Sequence, residues 1–468
     1  MPGWRTYAPP VPTSPRERVA DACPGVLRTH AAADGALARL RLPGGLLDAT
    51  AARALAACAR EFGDGYLELT SRGNVQLRGL ADGAATILAA RARAAGLLPS
   101  DTHERVRNIV ASPLSGRAVA SWRDVTPLVE ALDRALCADP ALAALPGRIL
   151  FALDDGSGDV AALPADLTLI ALPAGRMLLR VAGEPRAVLL PERCAIPAIL
   201  AAAHAFLDLL AATAPGDTPA WRIAELPTGH DRLLTAAQLA ARRARTDDRE
   251  PPAATIEIIQ AGTAARSRGD ASAVTPGPHR HSDGRYALTV LVPLGRLRAD
   301  QLDLLAEIAD EAAGDSRMVV TPWRTVVLRD LDPSASQGFG ARLAAVGLVV
   351  DPASGWVGVT SCAGRPGCAR ALADVRRDAA RYAAHVQGST TSVHWSACAR
   401  RCGRPAGDVV DVIADESGYR VHGGEELPAD RWAALSRELA SRHESASLQE
   451  LMSTRAGTSG ASTGREGD

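Results

Sequence analysis

From Tyr66 to Gly79 the chain alternates with period two. The even positions are Tyr66, Glu68, Thr70, Arg72, Asn74, Gln76 and Arg78; the odd positions are Leu67, Leu69, Ser71, Gly73, Val75, Leu77 and Gly79. Strand side chains alternate between faces, so this pattern predicts one strand with a packed face and a face of hydrogen-bonding groups. Before it come a strand-like run, ALARLRLPGG from Ala36, and a helix from about Asp48 to Phe62. After it comes a second helix, around Gly83 to Ala95.

The same order recurs about 250 residues later: ALTVLVPLGR from Ala287, a helix from about Ala299 to Ala313, then SRMVVTPWRTVVLRDL from Ser316. Residues 36–80 and 287–331 are thus two copies of one unit that reads strand, helix, strand, strand. Such units are α+β, and duplication predicts halves that pair about a pseudo-two-fold axis. The copies differ in one stretch. Where the first has its polar stripe, the second has Thr321, Pro322, Trp323, Arg324, Thr325, Val326, Val327 and Leu328. The second copy therefore reads as mainly structural and the first as keeping a working face. Either that face is merely solvated, as alternating strands usually are, or it binds something. Solvated faces favour mixtures of Lys, Glu and Thr over a run of Arg, Asn, Gln and Arg.

Between the copies, residues 104–240 hold the strand-like runs ILFALDD, LTLIALP and RMLLRVAG and an alanine-rich helix near Pro197 to Ala212. From about Arg242 to Gly284 the composition shifts to Arg, Asp, Pro, Ser and Gly, a linker with one apolar run, TIEII. The end, from about Ser453, is rich in Ser, Thr and Gly and reads as disordered. Two motifs fall short of their usual chemistry. GSGDVA at 156–161 follows a strand but opens no long helix, so it reads as a loop and not a dinucleotide site. His279, His281 and Asp283 have the ligand types of a two-histidine, one-carboxylate iron site, yet one linker run seldom supplies all three.

Composition narrows the function. At 468 residues the chain has room for about three domains, and a net charge of -1 argues against a nucleic-acid binder. No uninterrupted apolar run of about 18 residues predicts a membrane span, and the N-terminal segment lacks an apolar signal core, so a cytoplasmic protein is expected. There is no lysine; all 52 basic residues are arginines. That excludes a Walker A lysine and a Schiff-base lysine, while leaving many groups able to clamp carboxylates bidentately.

Four of the eight cysteines, Cys23, Cys58, Cys137 and Cys194, are scattered and read as small buried hydrophobes. The others form C-x5-C (Cys362, Cys368), twenty-nine intervening residues, then C-x3-C (Cys398, Cys402). Disulfides are disfavoured in a cytoplasmic chain, which leaves metal. Zinc knuckles prefer closer spacing; four thiolates on glycine- and proline-rich loops suit a [4Fe-4S] cluster better, with zinc as the alternative. Around them stand Arg365, Arg370, Arg376, Arg377, Arg381, Arg400, Arg401 and Arg404, against Asp374 and Asp378. A basic surround would attract an acidic electron donor or an anionic substrate. Several of these arginines also fit the exposed face of a helix from about Ala369 to Ala384.

A duplicated α+β half, the pattern T-x-R-x-N-x-Q-x-R and the late cysteines together resemble the sulfite/nitrite reductase superfamily over roughly residues 22–425. The resemblance implies a duplicated architecture: two ferredoxin-like half-domains plus two α/β cluster- and tetrapyrrole-binding domains, related by pseudo-two-fold symmetry. The boundaries it implies are 22–98 for the first half-domain, 104–240 for the first α/β domain and 241–284 for a linker. The second half-domain is 285–345, the cluster-binding domain 346–425, and a C-terminal helix and disordered tail 426–468. Arg72 and Arg107 would face a tetrapyrrole and its anion, as the catalytic residues, and Cys402 would bridge the cluster to a sirohaem iron. Thr70, Asn74, Gln76, Arg78, Asn108 and Arg148 would complete the tetrapyrrole face. Where the reductases have L-P-R-K-x-K, this chain has Leu145, Pro146, Gly147, Arg148, Ile149 and Leu150, so one of two substrate cations is lost.

Cys23-Pro24-Gly25, Ala33-Asp34-Gly35, the LPGG run, Thr321 to Arg324, CAGRPGC and CARRC are most similar to the precorrin-3B synthase family within that superfamily. This resemblance implies a [4Fe-4S] enzyme in which the tetrapyrrole is the substrate. Precorrin-3A would be hydroxylated with O2 and a γ-lactone closed, with a mononuclear non-haem iron whose ligands the residues do not assign. With no dinucleotide fold, electrons would come from a separate NAD(P)H-dependent reductase or a ferredoxin. A sirohaem-dependent nitrite or sulfite reductase is the other enzyme reading, and a non-catalytic iron-sulfur carrier or tetrapyrrole-binding protein the reading from another class. No nucleic acid or membrane partner is expected.

Overall fold

The structure is a computed structural model that describes residues 23–213, 219–244, 255–260, 275–312, 314, 316–387, 391–405, 407–416, 418–423 and 433–437. It divides into two compact units, one of residues up to 350 without 32–34, the other of 32–34 and the residues from 351 onward. Most of the C-terminal segment expected as helix and tail lies outside the described residues, as does most of the expected linker.

In the first unit, β1 (His30–Ala32), β2 (Gly35–Leu40), β3 (Leu46–Asp48), α1 (Ala49–Phe62), β4 (Tyr66–Leu69), β5 (Val75–Leu80) and α2 (Ala84–Ala94) build the first half-domain. Asp48 starts α1 where the sequence placed it: its carboxylate Oδ1 accepts the Ala51 N–H at 2.7 Å. Leu55, Ala56 and Ala59 of α1 bury one face against the sheet. The alternating run through Thr70 and Arg78 is a β-hairpin, the two closing strands of the repeated unit, and not one continuous strand. β4 and β5 pair antiparallel, Leu67 with Leu77, Glu68 with Gln76 and Leu69 with Val75. The chain reverses at Thr70–Asn74, where the Thr70 hydroxyl accepts the N–H groups of Arg72 and Asn74 at 3.3 and 3.1 Å. Gly73 takes φ +65°, which an L side chain resists.

Next come β6 (Ile109–Ala111), α3 (Thr126–Ala138), β7 (Phe151–Asp154), β8 (Leu167–Leu172), β9 (Arg176–Val181), β10 (Arg186–Pro191), α4 (Ala195–Ala211), α5 (His230–Ala244) and β11 (Glu257–Gln260). Their six-stranded sheet runs β11-β10-β9-β8-β7-β6, with β6, β7 and β8 parallel. Together with the turn before it, α4 is long and apolar enough to cross a membrane by length and composition. In this fold its Ala198, Ala202 and Phe206 are fully buried in the core that also holds Leu233 and Leu234 of α5. The apolar run expected within the linker is β11, a strand on the edge of this sheet.

The second half-domain consists of β12 (Gly277–Arg280), β13 (Tyr286–Leu291), β14 (Arg296–Arg298), α6 (Ala299–Asp310), β15 (Arg317–Val320), β16 (Thr325–Leu331) and α7 (Ser336–Ala345). It opens at β12, inside the stretch expected as linker. Each half-domain lends a strand to the other: β14 pairs with β4, completing the sheet β1-β2-β5-β4-β14, and β3 pairs with β15, completing β12-β13-β16-β15-β3. The ion pairs Arg53–Asp310 and Arg60–Asp303 join α1 to α6, and Arg53 and Asp303 hold equivalent positions in the two copies, as do Arg60 and Asp310. This reciprocity is a pseudo-two-fold axis. The seam is tight: a Cβ on Gly45 (φ +70°) would lie 2.0 Å from the Val320 carbonyl oxygen.

In the second unit, β17 (Val359–Ser361), α8 (Val375–Ala383), β18 (Ser392–Ser396), β19 (Val409–Asp415) and β20 (Gly418–His422) form a four-stranded sheet. β17, β18 and β19 are parallel and β20 is antiparallel. Trp395 is fully buried, with the rings of Tyr382 and Tyr419 at 5.9 and 5.4 Å, and the Tyr419 hydroxyl donates to Asp378.

Candidate functional site

The hairpin turns the expected stripe along one strand into a row across four. Arg39 of β2 stands beside Gln76, Gln76 beside Glu68, and Glu68 beside Arg296 of β14. Gln76 is the hinge of this row: its Oε1 accepts from Arg39 Nη2 at 2.9 Å and its Nε2 donates to Glu68 Oε2 at 2.6 Å. Arg78, buried, lies 4.0 Å from Glu68. Arg324 of the second copy, at φ +61° in the equivalent hairpin turn, also interacts with Glu68. The second copy is thus more than structural, since it contributes a buried cation to the row.

Beyond the row lies a concentration of positive charge. Arg41 is buried; it donates to the carbonyls of Arg105 and Pro24, and its Nη1 has no partner. Burial, then the neighbouring Arg39 guanidinium, lowers its pKa to about 9. Arg72, in the turn, is lowered to about 10 by burial and then by Arg222, with Arg148 adding to the effect. Mutually repelling guanidiniums make a site that an anion would stabilise. Arg222 itself is tied to the buried Asp166 at 2.6 Å. The guanidinium of Arg72 has no hydrogen-bond or ion-pair partner among the described residues. Arg148 is exposed and stacks over Trp221, 5.4 Å from the ring centre.

Other expected contacts are used internally. Asn74 accepts the Leu42 N–H at 2.9 Å and donates to Asn108 Oδ1 at 3.1 Å; Asn108 donates to the carbonyls of Arg105 and Gly147. Both amides are buried and pin the hairpin turn to its neighbours. Arg107 is also buried, its guanidinium held by Asp133 and the Leu97 carbonyl. All three side chains are thus already engaged within the protein, and Arg107 also lines a cavity with Arg41, Asp133 and Arg317. Thr70 builds the turn.

Sequence reasoning missed Arg39, Arg41 and Arg222. The first two alternate with Leu40 and Leu42 in the run expected as a strand, which was the available signal. Cys23, expected as a buried hydrophobe, is half-buried and interacts electrostatically with Arg39, Arg41 and Arg72. Its segment is fixed by Glu104, which accepts the N–H groups of Val26 and Leu27 at 2.6 and 2.9 Å. The HRHSD run builds no facial triad. His279 bonds the Thr275 carbonyl, Asp283 pairs with Arg285, and His281 is buried 3.6 Å from Asp330.

In the second unit the four late cysteines sit on the loops that follow β17 and β18. Cys362 Sγ accepts the Ala397 N–H at 3.2 Å, and Cys402 interacts with Cys362, Cys398 and Cys368. Burial pushes the Cys362 thiol up against the pull of N–H donors from Ala397 and Gly364. A single zinc ion would draw its thiolates to within about 4 Å of one another. The four thiols come from two neighbouring loops, a donor set that either a [4Fe-4S] cluster or a zinc ion would take. Arg401 and Arg404, counted in the basic surround, are bound to Asp411.

The family model for the nitrite/sulfite reductase ferredoxin-like half domain matches residues 30–95 and again 278–346, the two half-domains joined by the pseudo-two-fold axis. The chain carries two nitrite/sulfite reductase ferredoxin-like half domains. Similarity to curated proteins extends well past the half-domains. It is 26% identical over 406 residues to the precorrin-3B synthase of Sinorhizobium sp, covering 85% of this chain and 81% of that one. It is 25% identical over 406 residues to the ferredoxin–nitrite reductase of Synechococcus elongatus, covering 80% and 75%. The solved structure of the Mycobacterium tuberculosis NirA protein superposes with a TM-score of 0.61 at 20% identity, over 84% of this chain and 75% of that one. A duplicated α+β architecture with two ferredoxin-like half-domains is therefore the fold of this chain.

Proposed function

We propose that this protein is a monooxygenase of the precorrin-3B synthase kind. It takes precorrin-3A as substrate, inserts one oxygen atom of O2 at a ring-junction carbon, and closes a γ-lactone with the ring-A acetate. The other oxygen atom leaves as water, with electrons supplied by a separate NAD(P)H-dependent reductase or a ferredoxin. The supporting observation is Leu150. At the position of the reductases' second substrate cation it is 5% exposed and packs on Val110, Ala152 and Ala165, leaving Arg148 as the one cation of that motif. Reducing a small oxyanion calls for concentrated charge at that point, and a buried leucine supplies none.

In this reading Arg72 and Arg148 clamp carboxylates at the rim of the tetrapyrrole, and Arg39, Arg41 and Arg78 hold the field positive beneath it. Gln76 and Glu68 keep the arginine row in register. Cys362, Cys368, Cys398 and Cys402 hold a [4Fe-4S] cluster, which supplies electrons one at a time.

The second reading, a sirohaem-dependent nitrite or sulfite reductase, is supported by the nearly equal identity to the ferredoxin–nitrite reductase. One experiment separates the readings: the spectrum of the anaerobically purified protein, followed by incubation with precorrin-3A, 18O2 and a reductant. Cluster absorbance without sirohaem bands, and 18O in the product, is the expected result. Sirohaem bands with nitrite or sulfite reduction would overturn the proposal, and a cluster without turnover would point to an electron carrier.

A further inference from the structure

The loop that closes β7 reads D-D-G-S-G-D and gathers three carboxylates. One oxygen each of Asp154, Asp155 and Asp159 lies within 4.8 Å of the others. Asp154 is fully engaged by backbone: Oδ1 accepts from Gly156 and Gly158 at 2.8 and 3.0 Å, and Oδ2 from Val160 and Ala161 at 3.2 and 2.8 Å. The other two are not. Asp155 is 1% exposed; its Oδ1 takes the Ser157 N–H, and its buried Oδ2 has no partner. The buried hydroxyl of Ser157 has none either. Asp159 receives the Ser112 hydroxyl at 2.6 Å and its own neighbour's N–H, both on Oδ1. None of the three makes an ion pair with a cationic side chain among the described residues. Arg180, which feels Asp154, donates instead to the Ala161 carbonyl.

The position in the fold is a separate observation. In the six-stranded sheet Ala111 pairs with Leu153, the Ser112 N–H donates to the Leu153 carbonyl at 3.1 Å, and the Asp155 N–H donates to the Ser112 hydroxyl oxygen at 3.1 Å. In the four-stranded sheet Ser361 pairs with Trp395, the Cys362 N–H donates to the Trp395 carbonyl at 3.0 Å, and the Ala397 N–H donates to Cys362 Sγ at 3.2 Å. Ser112 is the counterpart of Cys362, and the aspartate loop is the counterpart of the loop bearing Cys398 and Cys402. The same two loops gather sulfur donors in one copy and oxygen donors in the other.

We propose that Asp155 and Asp159, on a loop fixed by Asp154 and oriented by Ser112, bind a hard divalent cation such as Mn2+, Mg2+ or Ca2+. All-oxygen donors with open positions for water suit these ions, and the absence of imidazole from the set separates it from a two-histidine, one-carboxylate iron site. The partnerless oxygens of Asp155 and Ser157 are the groups such an ion would satisfy. A proton is the competing occupant, since burial, then Asp154 and Asp155, pushes the Asp159 carboxyl up to about 8.

The test is a titration of MnCl2 into the EDTA-washed holoenzyme, with free Mn2+ followed by its EPR signal. One bound ion per chain is expected, weakened at least tenfold by Asp155→Asn and by Asp159→Asn, with iron and sulfide content unchanged. Absence of bound Mn2+ at millimolar concentration, or affinity unaltered in both variants, would overturn the site. Saturating MnCl2 should also raise the melting temperature of the unsubstituted protein. This readout needs no variant to fold, and an unmoved midpoint would count equally against the proposal.

Discussion

Arg107 and Asp133 form a two-point fork, Nε to Oδ1 and Nη2 to Oδ2, each at 2.7 Å. The fork ties the segment before β6 to α3, and the third bond, to the Leu97 carbonyl, reaches the end of the first half-domain. Both fork bonds are lost in Arg107→Ala, leaving a mostly buried carboxylate unpaired, so a loss of about 3–5 kcal/mol is expected. A lowered melting temperature with nearly unchanged tetrapyrrole affinity in the folded fraction checks this. A variant of normal stability that fails to bind would return Arg107 to the binding face.

Arg72 is the opposite case, a half-buried guanidinium with no partner of its own. Arg72→Ala should cost binding about 1.5–3 kcal/mol, the worth of a hydrogen bond to a charged group. Cluster absorbance should be retained. Equilibrium titration with precorrin-3A decides it, and unchanged affinity would remove Arg72 from the site.

Cys398→Ser should abolish the cluster, read as loss of iron, sulfide and visible absorbance. Cys58→Ser, at a fully buried position in the half-domain core, should leave all three intact. Full iron and sulfide content in the Cys398 variant would refute the ligand assignment.

A pH effect is built into the contact between the first α/β layer and the second half-domain. Burial raises the Asp330 pKa, but the Arg117 fork outweighs it, and the carboxyl ends below its ordinary value of 3.8. His281, 3.6 Å away, is pulled below 6.5 by burial. Both groups bind protons more readily when unfolded. Stability from His281 is therefore complete above about pH 6.5 and declines as pH falls toward its folded value; that from Asp330 is lost below about pH 4. Asp330→Asn should flatten the acid limb of a melting-temperature profile while lowering its plateau, and an unchanged acid limb would contradict the assignment.

The limits of α1 were legible because a cap and a helical period are local, and the duplication because the same order of elements recurs. The Thr70–Asn74 turn was hidden because polar residues at its centre continued the alternation of its arms. Only Gly73 marked the reversal. β12 was hidden because an edge strand needs little apolar content, and the apolar run that is β11 was too short to stand out from a linker. The strand exchange depends on pairings across the whole chain. The internal partners of Asn74, Asn108 and Arg107 were not legible, because a polar side chain bonded inside the protein and one that binds a ligand look alike in sequence.

The lent strands have a consequence for assembly. Without β14 the first sheet ends at β4, and without β3 the second ends at β15, so either half alone would carry an open, apolar edge prone to wrong pairing. Two fragments separated between α5 and β12 should therefore find each other when co-expressed and stay insoluble when made singly. In physical terms the first unit is a strand-swapped dimer whose two subunits happen to share one polypeptide.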